Sequence, residues 1–139
     1  MGNKVFIVYG HDKQLILKVE NLLLKNGIEY VKLGEEEDIS SLTIIESFEE
    51  YADDAGCAIC LLTGSEDDPA IRPNVLFEMG YFAGKLGRKH VVTISSDKYK
   101  EKFPSDLKGL KYIPEDEIEI RLIKGLEAMG IQRRNSERR

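Results

Sequence analysis

In the stretch "RPNVLFEMGYFAGKLGR", residues 72–88, a carboxylate stands at the edge of an apolar seam. At 100° per residue, Val75, Met79, Phe82, Ala83 and Leu86 gather within about 100° of arc, the width of a buried helical stripe. Glu78 falls on the flank of that stripe, about 40° from Phe82. A carboxylate there has two readings. It complements the positive end of the helix, worth roughly a few tenths of a kcal/mol, or it is a reacting group at the mouth of a crevice. Asn74, one turn earlier, faces the same direction, and Arg72 suits an acid or a phosphate. Both are also ordinary polar residues for a helix start. Gly80 and Gly84 share another face, where a backbone or ligand has room to approach.

Other residues invite chemistry and have plainer explanations. "YGHD" puts Gly10, His11 and Asp12 after an apolar run, where Gly10 lets a ligand near the backbone and Asp12 suits a helix N-cap. Two histidines in the whole chain do not make a metal cluster. Glu35, Glu36, Glu37 and Asp38 read as a solvated loop rather than a cation cage. Cys57 and Cys60 form a C-x-x-C, but they lie in "GCAICLLT", a short apolar run typical of a buried strand. Residues three apart in a strand point to opposite faces. The two thiols are therefore expected to be inert core residues.

These side chains must be held by regular elements, and the order of elements is legible. "KVFIVYG" (4–10) is an apolar, β-branched strand closed by glycine. Asp12 then caps a helix with the stripe Leu15, Ile16, Val19, Leu22 and Leu23, ending at Asn26-Gly27. "IEYVKLG" (28–34) predicts a second strand. Thr43 and Glu46 match a capping box for a helix burying Ile44, Ile45, Phe48 and Tyr51. "CAICLLT" is a third strand, apolar on both faces and so central. The loop 64–72 leads to the helix of Glu78, with Pro73 in its first turn. "KHVVTIS" (90–96) predicts a fourth strand, and residues 110–113 a weak edge strand. A last helix carries Ile118, Leu122, Ile123, Leu126 and Met129 and stops at Gly130.

Alternating strands and helices predict an α/β domain, a flavodoxin-like doubly wound sheet of five parallel strands in the order 2-1-3-4-5. Ligands of such sheets bind outside the carboxyl ends of the first and third strands. "VYGHD" and "LLTGSEDD" end there, and the Glu78 helix starts from the second. Residues 1–131 form this domain and 132–139 a basic tail or linker. Several activities of the fold lack their residues. A phosphorylated receiver needs an Asp where Thr63 ends the third strand, and neither a G-x-G-x-x-G nor a P-loop is present.

The length, 139 residues, is that of one domain able to bury its own core. A net charge of −5 disfavours nucleic acid as a partner, since "RRNSERR" (133–139) is the basic cluster and reads as a solvated end. No signal peptide or membrane-spanning apolar run is visible, so a cytoplasmic location without membrane association is expected.

"KVFIVYGHD", "TIIESFEEYAD", "CLLTGSEDD", "RPNVLFEMGYFAGKLGR" and "PSDLKGLKYIP" fall in the order in which similar segments occur in bacterial TIR-like nucleotide-binding domains. The chain resembles this Toll/interleukin receptor–type family of antiphage systems, which includes STING fusions, over nearly its whole length. The resemblance implies an NAD+ glycohydrolase that cleaves the nicotinamide–ribose bond, with Glu78 as the catalytic carboxylate, NAD+ as substrate and no further cofactor or metal. It also implies that Tyr9, Gly10, His11 and Asp12, with Leu33, Gly34, Thr43 and Ile44, line the pocket beside Arg72 and Asn74. Such domains are commonly switched on when a fused or partner sensor, such as STING, drives self-association through TIR–TIR contacts. Nucleoside 2-deoxyribosyltransferases share the fold type and a Glu in a similar helix, used as a nucleophile. A non-catalytic TIR self-association module is the third alternative.

Overall fold

The computed structural model describes residues 2–10, 12–32, 44–62, 73–95 and 110–134. Among the described residues the elements are, in order, β1 (Lys4–Val8), α1 (Lys13–Lys25), β2 (Tyr30–Val31), α2 (Ile44–Ala52), β3 (Ala55–Leu61), α3 (Pro73–Leu86), β4 (Val91–Ser95), β5 (Lys111–Pro114) and α4 (Ile118–Ala128). The strands form one sheet in the order β2-β1-β3-β4-β5, and every pairing is parallel. This is the doubly wound arrangement expected from the sequence. Its strand ends all point one way, which places the sites of β1 and β3 beside each other.

Residue alternation along the strands divides the core in two. Val5, Ile7, Cys57, Ile59, Leu61, Val92, Ile94 and Ile113 face α1 and α4. Phe6, Val8, Ala58, Cys60, Leu62 and Val91 face α2 and α3. β3 is buried along its full length because helices cover both of its faces. Cys57 and Cys60 consequently sit in different halves of the core, both as free buried thiols. The C-x-x-C spacing brings no pair together.

Local chemistry sets the helix boundaries. The Leu15 amide donates to Asp12 Oδ1 at 3.1 Å, capping α1. At the other end Asn26 caps the helix, and Gly27 takes a left-handed φ of 69° that lets the chain reverse into β2. Gly130, with φ 93°, ends the turn after α4 in the same way. Val75, Met79, Phe82 and Leu86 make the buried stripe of α3, with Ala83 half-buried beside it. Gly80 and Gly84 are exposed, and a Cβ on either would meet nothing within 4 Å.

Some element limits and burials differ from the sequence expectations. Tyr51 is 42% exposed rather than buried. Phe48, also on α2, is buried instead, with ring centroids 5.4 Å from Phe6 and 5.3 Å from Phe82. His90 belongs to a single 3-10 turn, Arg88–His90, and not to β4. β2 has two paired residues, shorter than the run 28–34 suggests. The side chains of Ile44 and Ile45, and Thr43 of the capping box, lie outside the described residues. Gln132 and Arg134, counted in the tail by composition, are docked. Gln132 exchanges two hydrogen bonds with the Asn3 side chain, and the Arg134 amide donates to the Gly27 carbonyl at 2.6 Å. Among the described residues no helix is long and apolar enough to cross a membrane.

Burial also fixes protonation. The Cys57 thiol is pushed from 9.0 to about 12 by desolvation. Tyr30 is pushed from 10.0 to about 12 by desolvation and by its bond to Glu20. Both groups hold a proton more tightly when folded, so the stability they contribute is complete below their ordinary values and disappears as pH rises towards 12. The urea midpoint should therefore fall between about pH 8 and about pH 11, and Cys57→Ala should make that fall smaller. Equal falls in parent and variant would contradict this placement of the thiol.

Candidate active site

α3 follows β3 in the chain, and its first two turns pack Val75 and Met79 into the core on the α2/α3 face. On α3, Glu78, Tyr81 and Lys85 share one flank, within about 60° of arc. Tyr81 packs edge-on against Phe48, with centroids 4.9 Å apart, and Lys85 Nζ bonds Asp53 at 2.8 Å. Both partners belong to α2 or to the turn after it. This flank therefore looks towards α2 and the β1 side of the sheet, away from β4.

Glu78 is half-buried and sits over the end of β3. The thiol of Cys60 registers its position. That thiol is held protonated first by complete burial, then by the negative charge of Glu78, and least by Cys57. Cys60 pairs in register with Val8, the last residue of β1. The carboxylate thus lies above the junction of β1 and β3, the place where a doubly wound sheet opens its crevice. Full burial would cost a carboxylate its hydration, whereas full exposure would dissipate its field in water. The half-buried seat of Glu78, near enough to the buried Cys60 for its charge to act there, lies between these limits.

β1 supplies the opposite wall. Tyr9 is half-buried at its end and Gly10 is buried. Asp12 follows, with one oxygen committed to the α1 cap. Asn74 is exposed on the first turn of α3, one turn before Glu78. Of the residues the sequence nominates, Tyr9, Gly10 and Asp12 follow the carboxyl end of β1, with Tyr9 packed on the α1 face, while Asn74 and Glu78 stand on the first two turns of α3. Ile44 opens α2. His11, Leu33, Gly34, Thr43 and Arg72 lie outside the described residues.

Two residues outside the nominated set lie near these strand ends. Cys60 forms the floor beneath Glu78, and only three-dimensional register reveals that. Lys32, just past β2, has its ammonium 5.2 Å from the centroid of the Tyr9 ring and 3.6 Å from Glu20 Oε2. Among the described residues no group of three or more His, Cys, Asp or Glu is placed to hold a metal ion.

With this geometry in place, comparison with known proteins is informative. The profile of the TIR domain of CAP12/Pycsar effector proteins matches residues 4–117. The chain belongs to this bacterial TIR-type effector family. It is 40% identical over 126 residues to the uncharacterized protein YuaY of Escherichia coli K12, covering 84% of this chain and 41% of that protein. Protein tirC of Dictyostelium discoideum is 34% identical over 131 residues, 79% of this chain and 63% of its own length. The Pycsar effector protein XpPycTIR of Xanthomonas perforans is 34% identical over 91 residues, 60% of this chain and 28% of that effector. The chain thus spans less than two thirds of each of these relatives. The matched TIR region runs from β1 to the end of the turn Glu115–Glu117 before α4, and with it contains every nominated site residue.

Asp12 can be tested for a role beyond capping. Asp12→Ala should cost about 1 kcal/mol, read by urea denaturation. Asp12→Ser keeps a capping oxygen and should restore most of that loss. Equal destabilisation by both variants would show that the carboxylate is needed for more than its bond to the Leu15 amide.

Proposed function

We propose that this TIR domain hydrolyses NAD+ to nicotinamide and ADP-ribose with Glu78 as its catalytic carboxylate. The supporting observation is the seat of Glu78, half-buried over the β1/β3 junction and close enough to act on Cys60. Breaking the N-glycosidic bond sends its electron pair to the pyridinium ring, so nicotinamide departs neutral and needs no strong acid. The ribose is left oxocarbenium-like, with positive charge at its ring oxygen and anomeric carbon. A fixed carboxylate beside that carbon favours the charged transition state over the substrate's neutral sugar. Water then adds to the anomeric carbon and releases one proton. The same carboxylate is suited to hold the ribose hydroxyls.

The family's relatives are described as effectors and are longer than this chain. A sensor, fused or separate, is therefore proposed to bring copies together and switch on the site. Depletion of NAD+ would be the antiphage output.

Glu78→Gln should fold with an unchanged urea midpoint and lose about 100-fold or more of NAD+ hydrolysis, assayed as nicotinamide release by clustered protein. Retained turnover in that variant would overturn the catalytic assignment. Absence of NAD+ loss in clustered wild type would favour a self-association module, and transfer of a deoxyribosyl group from a deoxynucleoside would favour the transferase alternative.

A further inference from the structure

We infer that the open edge of β2 takes an extended acidic peptide, which adds to the sheet as a further strand in the trough between β2 and α1. The inference does not rest on the role proposed for Glu78.

β2 ends the sheet, with β1 on its one paired side. The Val5 amide donates to the Glu29 carbonyl at 2.9 Å, and Val5 stands opposite Tyr30. In a parallel ladder that register turns the amide and carbonyl of Tyr30 away from β1, to the free side. Neither is bonded to another described residue. A cavity of about 740 Å3 lies along this side, the size of a ligand pocket. α1 walls it through Leu24 and Glu20, and Ile28 and Val31 add apolar surface. Gly27 and Arg134 mark one end, where the Arg134 amide donates to the Gly27 carbonyl. Lys32 and Glu20 mark the other, 3.6 Å apart. Leu24, a large apolar side chain, is 63% exposed here.

The lining selects the occupant. An open strand edge is satisfied by alternating amides and carbonyls at strand spacing, which an extended peptide carries and a compact small molecule lacks. Three cations, Lys4, Lys32 and Arg134, face two carboxylates, Glu20 and Glu29. Glu20 is taken by the Tyr30 hydroxyl at 2.8 Å and by Lys32, and Glu29 by Arg134 at 3.6 Å. Lys4 forms no ion pair among the described residues, so the lining keeps a positive charge for a carboxylate of the peptide. Residues 28–32 extend over about 17 Å, which matches about five residues of peptide. The shortness of β2 and its neighbouring lysine blunt the edge against indiscriminate pairing. A partner must therefore cover Leu24 and place its acid as well as pair. A second copy of the chain would bring its own α1 beside its β2 and crowd this one.

The test titrates the fluorescein-labelled peptide Asp-Val-Thr-Val-Asp into the full chain, read by anisotropy and by amide NMR. Binding should be tighter than about 1 mM, and the Tyr30 amide should shift and gain protection from hydrogen exchange. Leu24→Asp and Lys4→Glu should each weaken binding about tenfold or more, with Tm unchanged. Two further probes carry N-methyl groups, one on both Val residues and the other on Thr. Alternate amides of a strand face its neighbour, so one methylated probe should lose binding and the other keep it. No binding by the wild type, equal effects of the two methylations, or a Tyr30 amide that does not respond would overturn the proposal. Binding unchanged by both substitutions would overturn it too. A chain that dimerises through this edge, and is monomeric as Leu24→Asp, would put a second copy in the trough and overturn the choice of a peptide. None of these readouts uses NAD+ hydrolysis, so failure here leaves the reading of Glu78 as it stands.

Discussion

The site depends on one electrostatic compromise, a negative charge held where apolar core gives way to solvent. Glu78 stands above Cys60, a fully buried residue that its charge still reaches. The floor is apolar because β3 lies in the middle of the sheet and carries helices on both faces. Its helix places the carboxylate on the flank of the stripe and not within it. A shift of one residue along α3 would turn it by 100°, towards the core or into open water.

The rest of the fold keeps that helix in place. Phe6, Phe48 and Phe82 lock β1, α2 and α3 together, with ring centroids 4.7 Å apart for Phe6–Phe82. Such contacts add roughly 0.5–1.5 kcal/mol per pair beyond simple burial. The flank of Glu78 is further set by Tyr81 against Phe48 and Lys85 against Asp53. Exposed ion pairs of the second kind contribute little stability, so its part is chiefly orientation.

Much of this was legible in the sequence, for identifiable reasons. Strand order follows from the largely alternating strands and helices, and the separation of Cys57 from Cys60 follows from the two-residue strand period. The position of Glu78 followed from helical phase relative to Val75 and Phe82. Tyr51 misled because its spacing from Phe48 fits the helical stripe, whereas the space beneath is already filled by Phe48, Phe6 and Phe82. Lys32 escaped notice because nothing local distinguishes it. Its setting comes from Tyr9 and Glu20, more than ten residues away in the chain. Residues that act through a partner in another element leave a weak mark on one sequence.

The central claim is that the side chain at position 78 touches the ribose from which nicotinamide departs. An experimental structure of Glu78→Gln bound to intact NAD+ measures this directly. The account predicts the anomeric carbon about 3–3.5 Å from the side-chain oxygen at position 78. NAD+ bound elsewhere, or oriented with its nicotinamide ribose away from the β1/β3 junction, would contradict it.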